Sequence, residues 1–254
     1  MLIKVIENEK PKIDKIGFAC DEKICEKLDK YPLVKDNLNF SNTTVFLGRQ
    51  GSGKTSLMIN FVLKLYKKKF HKIYVFMPKT SRNSLKKNIF EALPEDQLYE
   101  ELTPINIHKL YQIIKENAEE GKRSLVIMDD VQKALRDPYV IGQFKNMVAN
   151  QRHLKLVNLI LLQNYFALHP QIREIINNLI FFKMDKKQTN KIFEEVAELP
   201  KDLFLTMNDY IFDKPHNWCL INQKNKKMYK LWDEIIIEDD DDDDEIEIKE
   251  SIEK

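Results

Sequence analysis

Three of the six glycines in this 254-residue chain fall within six positions, in the segment Gly48-Arg49-Gln50-Gly51-Ser52-Gly53-Lys54-Thr55. A sequence this sparing with glycine uses it where the backbone needs positive φ or must approach a ligand closely. The segment satisfies G-x-x-x-x-G-K-[ST], a loop whose N–H groups cradle phosphate. Its flanks agree with that reading. Thr43 to Leu47 is a short β-branched and aromatic run, as a buried strand should be. Leu57, Met58, Phe61, Val62 and Leu65 then recur at helical spacing. Strand, glycine loop and helix together point backbone N–H groups and a positive helix end at an anion.

A phosphate cradle alone hydrolyses nothing. Phosphoryl transfer also needs one carboxylate for the metal shell and another to orient or deprotonate water, both at the C-terminal edge of a neighbouring strand. Ser124 to Met128 reads as such a strand, and it ends in Asp129 and Asp130. Asp129 is the natural partner of Mg²⁺, with the Thr55 hydroxyl, and Asp130 the natural water-activating group. Lys54 would neutralise the β and γ oxygens of the nucleotide. Gly48, Arg49, Gln50, Gly51, Ser52, Gly53, Lys54, Thr55 and Ser56 are accordingly the nucleotide-binding candidates. The alternative for the acid pair is a cap on the following helix, ahead of a break at Asp137-Pro138.

Further strands are expected at 73–77, 156–162, 179–182 and 218–222, with a helix through Ile107, Leu110 and Ile114 that stops at Gly121. Strands alternating with helices predict an α/β fold with a mostly parallel central sheet flanked by helices, ligands lying outside the strand C-termini. Hydrophobic residues at 43% and charged residues at 32% suit a globular chain, and no apolar run reaches a bilayer span. The N-terminus lacks the apolar stretch of a signal peptide. Cys20, Cys25 and Cys219 form neither a disulfide framework nor a four-ligand zinc set, and His216 with Cys219 is a lone H-x-x-C pair read as core or surface. No Asn-Lys-x-Asp base-reading motif is present, which favours ATP over GTP.

The formal net charge of +1 hides an asymmetry. Residues 233–254 hold thirteen acids and two lysines, a net of −11, which leaves 39 bases against 27 acids, or +12, on residues 1–232. Such a body attracts polyanions. Three regions are expected: an N-terminal extension over 1–40, the ATPase domain over 41–232, and an acidic tail over 233–254 that should be disordered from about Asp239, where six aspartates repel one another.

GRQGSGKTS, IYVFMPKTSRNS, LVIMDDVQ and QRHLKLVNLILLQNYFALHPQIREIINNLIFF together resemble the genome-packaging ATPases of large DNA viruses and virophages, the poxvirus-type branch of the FtsK/HerA superfamily of P-loop NTPases. The resemblance covers roughly residues 40 to 185. It implies a RecA/FtsK/HerA-like fold and an ATP-driven double-stranded DNA translocase of low sequence specificity. It further implies a homo-oligomeric ring, a pentamer or hexamer, in which each site is completed by the next subunit. By that pattern Gln163 resembles the polar sensor of the γ-phosphate or attacking water. Arg152 resembles the arginine finger given in trans, and Arg173 a later arginine for γ-phosphate sensing or subunit contact. Many members of the superfamily carry Asp-Glu where this chain has Asp129-Asp130, so the shorter base must sit closer to the water or act through a second one.

The resemblance further implies capsid or inner-membrane vertex proteins as partners, and the host cytoplasm at the assembly site, and the virion, as locations. Candidate DNA-gripping cations are Lys79, Arg82, Lys86 and Lys87 after the second strand and Lys133, Arg136 and Lys145 after the acid pair. Competing assignments are another P-loop motor, a nucleotide kinase, or a nucleotide-gated capsid assembly protein. A kinase needs no DNA, and an assembly protein would survive loss of Asp130.

Overall fold

The structure is a computed structural model that describes residues 2–6, 8, 33, 37–38, 41–66, 68–83, 85, 89–238 and 248–250. Its strands are β1 (Leu2–Ile6), β2 (Thr43–Leu47), β3 (Lys72–Phe76), β4 (Leu98–Tyr99), β5 (Ser124–Asp129), β6 (Leu156–Leu162), β7 (Asn178–Phe182), β8 (Trp218–Asn222), β9 (Met228–Lys230), β10 (Asp233–Glu238) and β11 (Ile248–Glu250). Its α-helices are α1 (Lys54–Asn60), α2 (Lys79–Asn83), α3 (Pro104–Glu119), α4 (Pro138–Ala149), α5 (Pro170–Arg173), α6 (Lys186–Ile192) and α7 (Leu203–Ile211). α1 and α6 each continue into a π-helical turn, Phe61–Leu65 and Phe193–Ala197.

All the strands join one sheet in the order β11-β1-β10-β9-β8-β7-β2-β6-β5-β3-β4. From β7 to β4 every neighbouring pair is parallel. Beyond β7 the strands β8, β9, β10 and β1 pair antiparallel. The parallel strands β2, β6 and β7 are buried along their whole lengths, as strands covered on both faces are, and their few polar side chains bond one another, Asn158 to Thr43 Oγ1 (3.0 Å) and Asn178 to Thr44 Oγ1 (3.2 Å). Successive residues feed opposite cores: Val45 and Leu47 pack with α3 and α4 residues such as Leu110 and Phe144, while Phe46 packs with Met58 and Phe61 from α1 and its extension. An edge-to-face set of Phe46, Phe61, Trp218 and Trp232 closes the second core, each pair contributing about 1 kcal/mol beyond its buried area.

Two expectations meet a different structure. Asp137-Pro138 opens a helix rather than ending one: the Asp137 carboxylate accepts from Tyr139 N (2.8 Å) and Val140 N (3.1 Å) to cap α4, and the 3₁₀ turn Ala134–Arg136 ahead of it has no side-chain cap, so the acid pair caps neither. The other concerns the tail. Residues 233–238 form β10 because Ile235 is buried and Glu234 is paired with Lys227 at 2.8 Å. Of the stretch expected to be disordered from Asp239 on, Ile248–Glu250 instead form β11, paired in parallel with β1, while 239–247 and 251–254 lie outside the described residues, as do most of residues 1–40 with Cys20 and Cys25.

Candidate nucleotide site

β2 lies between β6 and β7, and β6 separates it from β5, so the glycine loop, residue 163 and the acid pair emerge side by side at one sheet edge. Gly48 N donates to Leu162 O at 3.2 Å, tying the start of the loop to the end of β6. A Cβ on Gly48 would stand 2.6 Å from Ser52 Oγ and 3.1 Å from Phe182 Cβ, so nothing larger than glycine fits. Gly53 closes the loop at φ 107, and its carbonyl accepts from Leu57 N at 2.9 Å to start α1. No side chain caps the first N–H groups of α1, and the buried Ser52 Oγ has no hydrogen-bond partner. These are donors that an oxyanion would satisfy.

Lys54 is buried and folds back on the loop, donating to the carbonyls of Gly48 (2.6 Å) and Arg49 (2.8 Å). Burial lowers its pKa, while Asp129 and Asp130 act in the opposite direction, so the ammonium and both carboxylates share one electrostatic field. Asp129 ends β5 in register with Leu161 of β6. Burial raises its carboxyl to about 6; Lys54 opposes that rise and Asp130 adds to it. A half-buried carboxylate with a raised pKa beside a lysine is an oxygen donor in want of a cation. Thr55 follows Lys54 in the first turn of α1. Among the described residues no three His, Cys, Asp or Glu side chains form a metal cage of their own.

Asp130 adopts φ 56, a left-handed conformation that turns the chain sharply after β5. Gln132 Nε2 donates to Asp130 Oδ1 at 3.5 Å, and Gln132 Oε1 accepts from Gln163 N at 3.3 Å. The structure thus brings Gln163 to the acid pair through Gln132, a residue of the LVIMDDVQ block to which the sequence attached no role.

Arg152 lies elsewhere. It is exposed in the turn before β6, so the length of β6, about 20 Å, separates it from Gln163. Its neighbour Gln151 is buried at that opposite edge, accepting from Thr43 Oγ1 (2.9 Å) and donating to Asn177 Oδ1 (2.8 Å). Arg173 is not on the loop either. Its Nε donates to Leu168 O at 2.9 Å, its guanidinium pairs with Glu195 at 3.0 Å, and it lies over the Tyr165 ring at 4.4 Å. Among the candidate DNA cations, Arg82 is largely buried and 3.9 Å from Glu100, so it is poorly placed to grip a phosphate. Lys79, Lys133 and Arg136 are exposed, and Lys145 bonds Gln171. Lys86 and Lys87 lie outside the described residues.

His216, set aside in the sequence as half of an H-x-x-C pair, comes to the loop instead: its Nδ1 is 3.0 Å from the Ser52 carbonyl. The two residues are 164 positions apart. Only the proximity of β8 to β7 brings them together, and no local pattern announces it.

The model of a family described as Poxvirus A32 protein matches residues 27–252. Among solved structures, the chain is similar to the genome packaging NTPase B204 from Sulfolobus turreted icosahedral virus 2 in complex with AMP, at TM-score 0.57 and 17% identity over 76% of this chain and 97% of that one. B204 in complex with ATP-gammaS gives TM-score 0.56 and 15% identity over 76% and 97%. B204 described as the DNA-packaging ATPase from Sulfolobus turreted icosahedral virus gives TM-score 0.57 and 17% identity over 74% and 96%. No curated protein matches the chain.

Proposed function

The chain belongs to the Poxvirus A32 protein family and is an ATPase of P-loop fold, and on that premise we propose that it hydrolyses MgATP to drive double-stranded DNA, without regard to sequence, into a viral capsid. The observation that carries the proposal is that the glycine loop after β2 and the acid pair after β5 emerge at one sheet edge, on either side of the β6 end that holds Gly48 N.

Lys54 exchanges its hydrogen bonds with the Gly48 and Arg49 carbonyls for the β and γ oxygens of ATP. Thr55 and Asp129 would hold Mg²⁺, which neutralises charge on the same oxygens when bound. Asp130 takes the proton of the attacking water, and Gln163 orients that water, with Gln132 fixing the distance between the two. Arg152 serves a neighbouring copy, since its own nucleotide loop lies at the other end of β6. An arginine delivered to the transferring phosphoryl group is worth on the order of 10³ to 10⁵ in rate. The copies form a ring around the duplex, with exposed cations such as Lys79, Lys133 and Arg136 on phosphates, in the host cytoplasm where virions assemble.

The test is the ATPase rate of the full chain against protein concentration, with and without long duplex DNA. A rate per subunit that rises steeply with concentration and further with DNA is expected. A flat rate indifferent to DNA overturns the motor.

A further inference from the structure

Two cavities flank the loop and the acid pair. One, of about 440 Å³, has Arg49 to Ser52 as one wall and Phe182, Lys183 and the turn 212–217 as the other. The second, of about 350 Å³, lies on the far side of the acids and is lined by Glu100, Glu101, Asp129, Asp130 and Asp137, with Lys133 as its one cation. Resting on the ATPase reading above, we infer that the first cavity is the nucleoside subsite and that Asp213 is its hydrogen-bond acceptor for the sugar.

Topology provides the wall. β8 runs antiparallel to β7, so the turn that enters β8 rises at the same edge where β2 and β7 end. His216 joins the two walls through its 3.0 Å contact with Ser52 O, from a left-handed φ of 66 that is uncommon for a residue with a side chain. On the loop side, a Cβ at Gly53 would meet Phe182 Cε1 at 3.5 Å and His216 Nδ1 at 3.6 Å, so the turn packs directly on the loop.

Charge decides between the cavities. The first presents Arg49, Lys183 and Lys214 around a single carboxylate, whereas the second gathers five carboxylates around one lysine. A nucleotide with its phosphates on the loop carries negative charge to the mouth of either cavity, and like charges a few ångströms apart repel. The size suits the guest, since small-molecule sites start near 300 Å³. Asp213 has an acceptor to offer: Lys230 (3.0 Å) and Asn217 (2.8 Å) both engage its Oδ1, which leaves Oδ2. A carboxylate accepting from a ribose hydroxyl is a recurrent way to hold a nucleoside.

Photolabelling of the full-length wild-type protein with 8-azido-ATP tests the site. Adducts displaced by ATP should map to residues 182–183 or 212–217. Displaceable adducts at Pro78 or 100–104 overturn the assignment, and a protein with no displaceable label overturns the ATPase reading as well. Competition with ATP and with inorganic tripolyphosphate tests the acceptor. D213A should lose about tenfold in ATP affinity and less than twofold in tripolyphosphate affinity. Equal losses for both ligands, or no loss of ATP affinity, would sink it. K54A, which removes the phosphate contact, should lose both.

Discussion

The side-chain oxygen of Gln132 accepts a hydrogen bond from the backbone N–H of Gln163 at 3.3 Å. Gln132 also donates to Asp130, so one side chain sets the spacing between the proposed base and the end of β6. Removing it leaves the phosphate loop untouched. Q132A should therefore lower kcat by about 10- to 100-fold with KM within twofold, as misplacement of a catalytic group does. Steady-state ATPase kinetics read the split, and a rise in KM at constant kcat would refute the positioning role.

Asp129 is held in its fold at an energetic loss. Its carboxyl titrates at about 6 against an ordinary 3.8. Between those values the folded protein holds a proton that the unfolded chain has released, so stability falls as pH rises through the window. The penalty is full above pH 6, up to about 3 kcal/mol, and absent below pH 4. D129N should raise the melting temperature of the nucleotide-free protein at pH 7.5, show no difference at pH 4, and abolish turnover. Thermal melts at the two pH values check it.

The same carboxyl sets an acid limit on catalysis. Only its ionised form is a ligand for a divalent cation, so kcat/KM for MgATP should decline with unit slope as pH falls through about 6. A pH–rate profile of the wild-type protein reads the limb, and a rate that holds level down to pH 5 refutes it.

Arg152 and Lys54 belong to different ends of β6, which makes a mixing experiment decisive. R152A and K54A should each be inactive as pure proteins while R152A still binds ATP. Mixed in equal amounts they should regain turnover at roughly a quarter of the interfaces, where an intact loop meets an intact arginine. Absence of recovery in assembled mixtures would show that the arginine acts on its own chain or not at all.

Gly48 and Gly142 make a matched pair. A methyl on Gly48 collides with Ser52 and Phe182, whereas nothing lies within 4 Å of one on Gly142. G48A should weaken ATP binding about tenfold or more. G142A, within α4, should stabilise the fold by about 0.5–1 kcal/mol. Nucleotide titration and urea unfolding distinguish the two.

What the sequence made legible was whatever is written within one segment. The strands at 43–47 and 156–162 stand where their β-branched, aromatic and aliphatic runs placed them, because a strand buried on both faces is apolar over most of its length. The loop and the acid pair converge for the same reason, each being a short motif at the end of such a strand. What stayed hidden depended on pairing between distant segments. Glu234-Ile235-Ile236-Ile237-Glu238 read as the start of an acidic tail, and only β9 and β1 on either side make it a strand. Arg173 resembled an arginine for γ-phosphate sensing or subunit contact, and no local pattern announced its ion pair with Glu195. His216 had no motif to its name until β8 carried it to Ser52.

The separation of Arg152 from the glycine loop also dictates the sidedness of any assembly that uses both. Each copy then has one donor end and one acceptor end, and two geometries would complete the sites: a twofold pair in which each arginine meets the other copy's loop reciprocally, or a head-to-tail series that closes only if the step between copies divides a full turn. In the first, losing one copy silences the other; in the second, a gap silences only the copy beside it, so the rate that survives dilution tells the two apart.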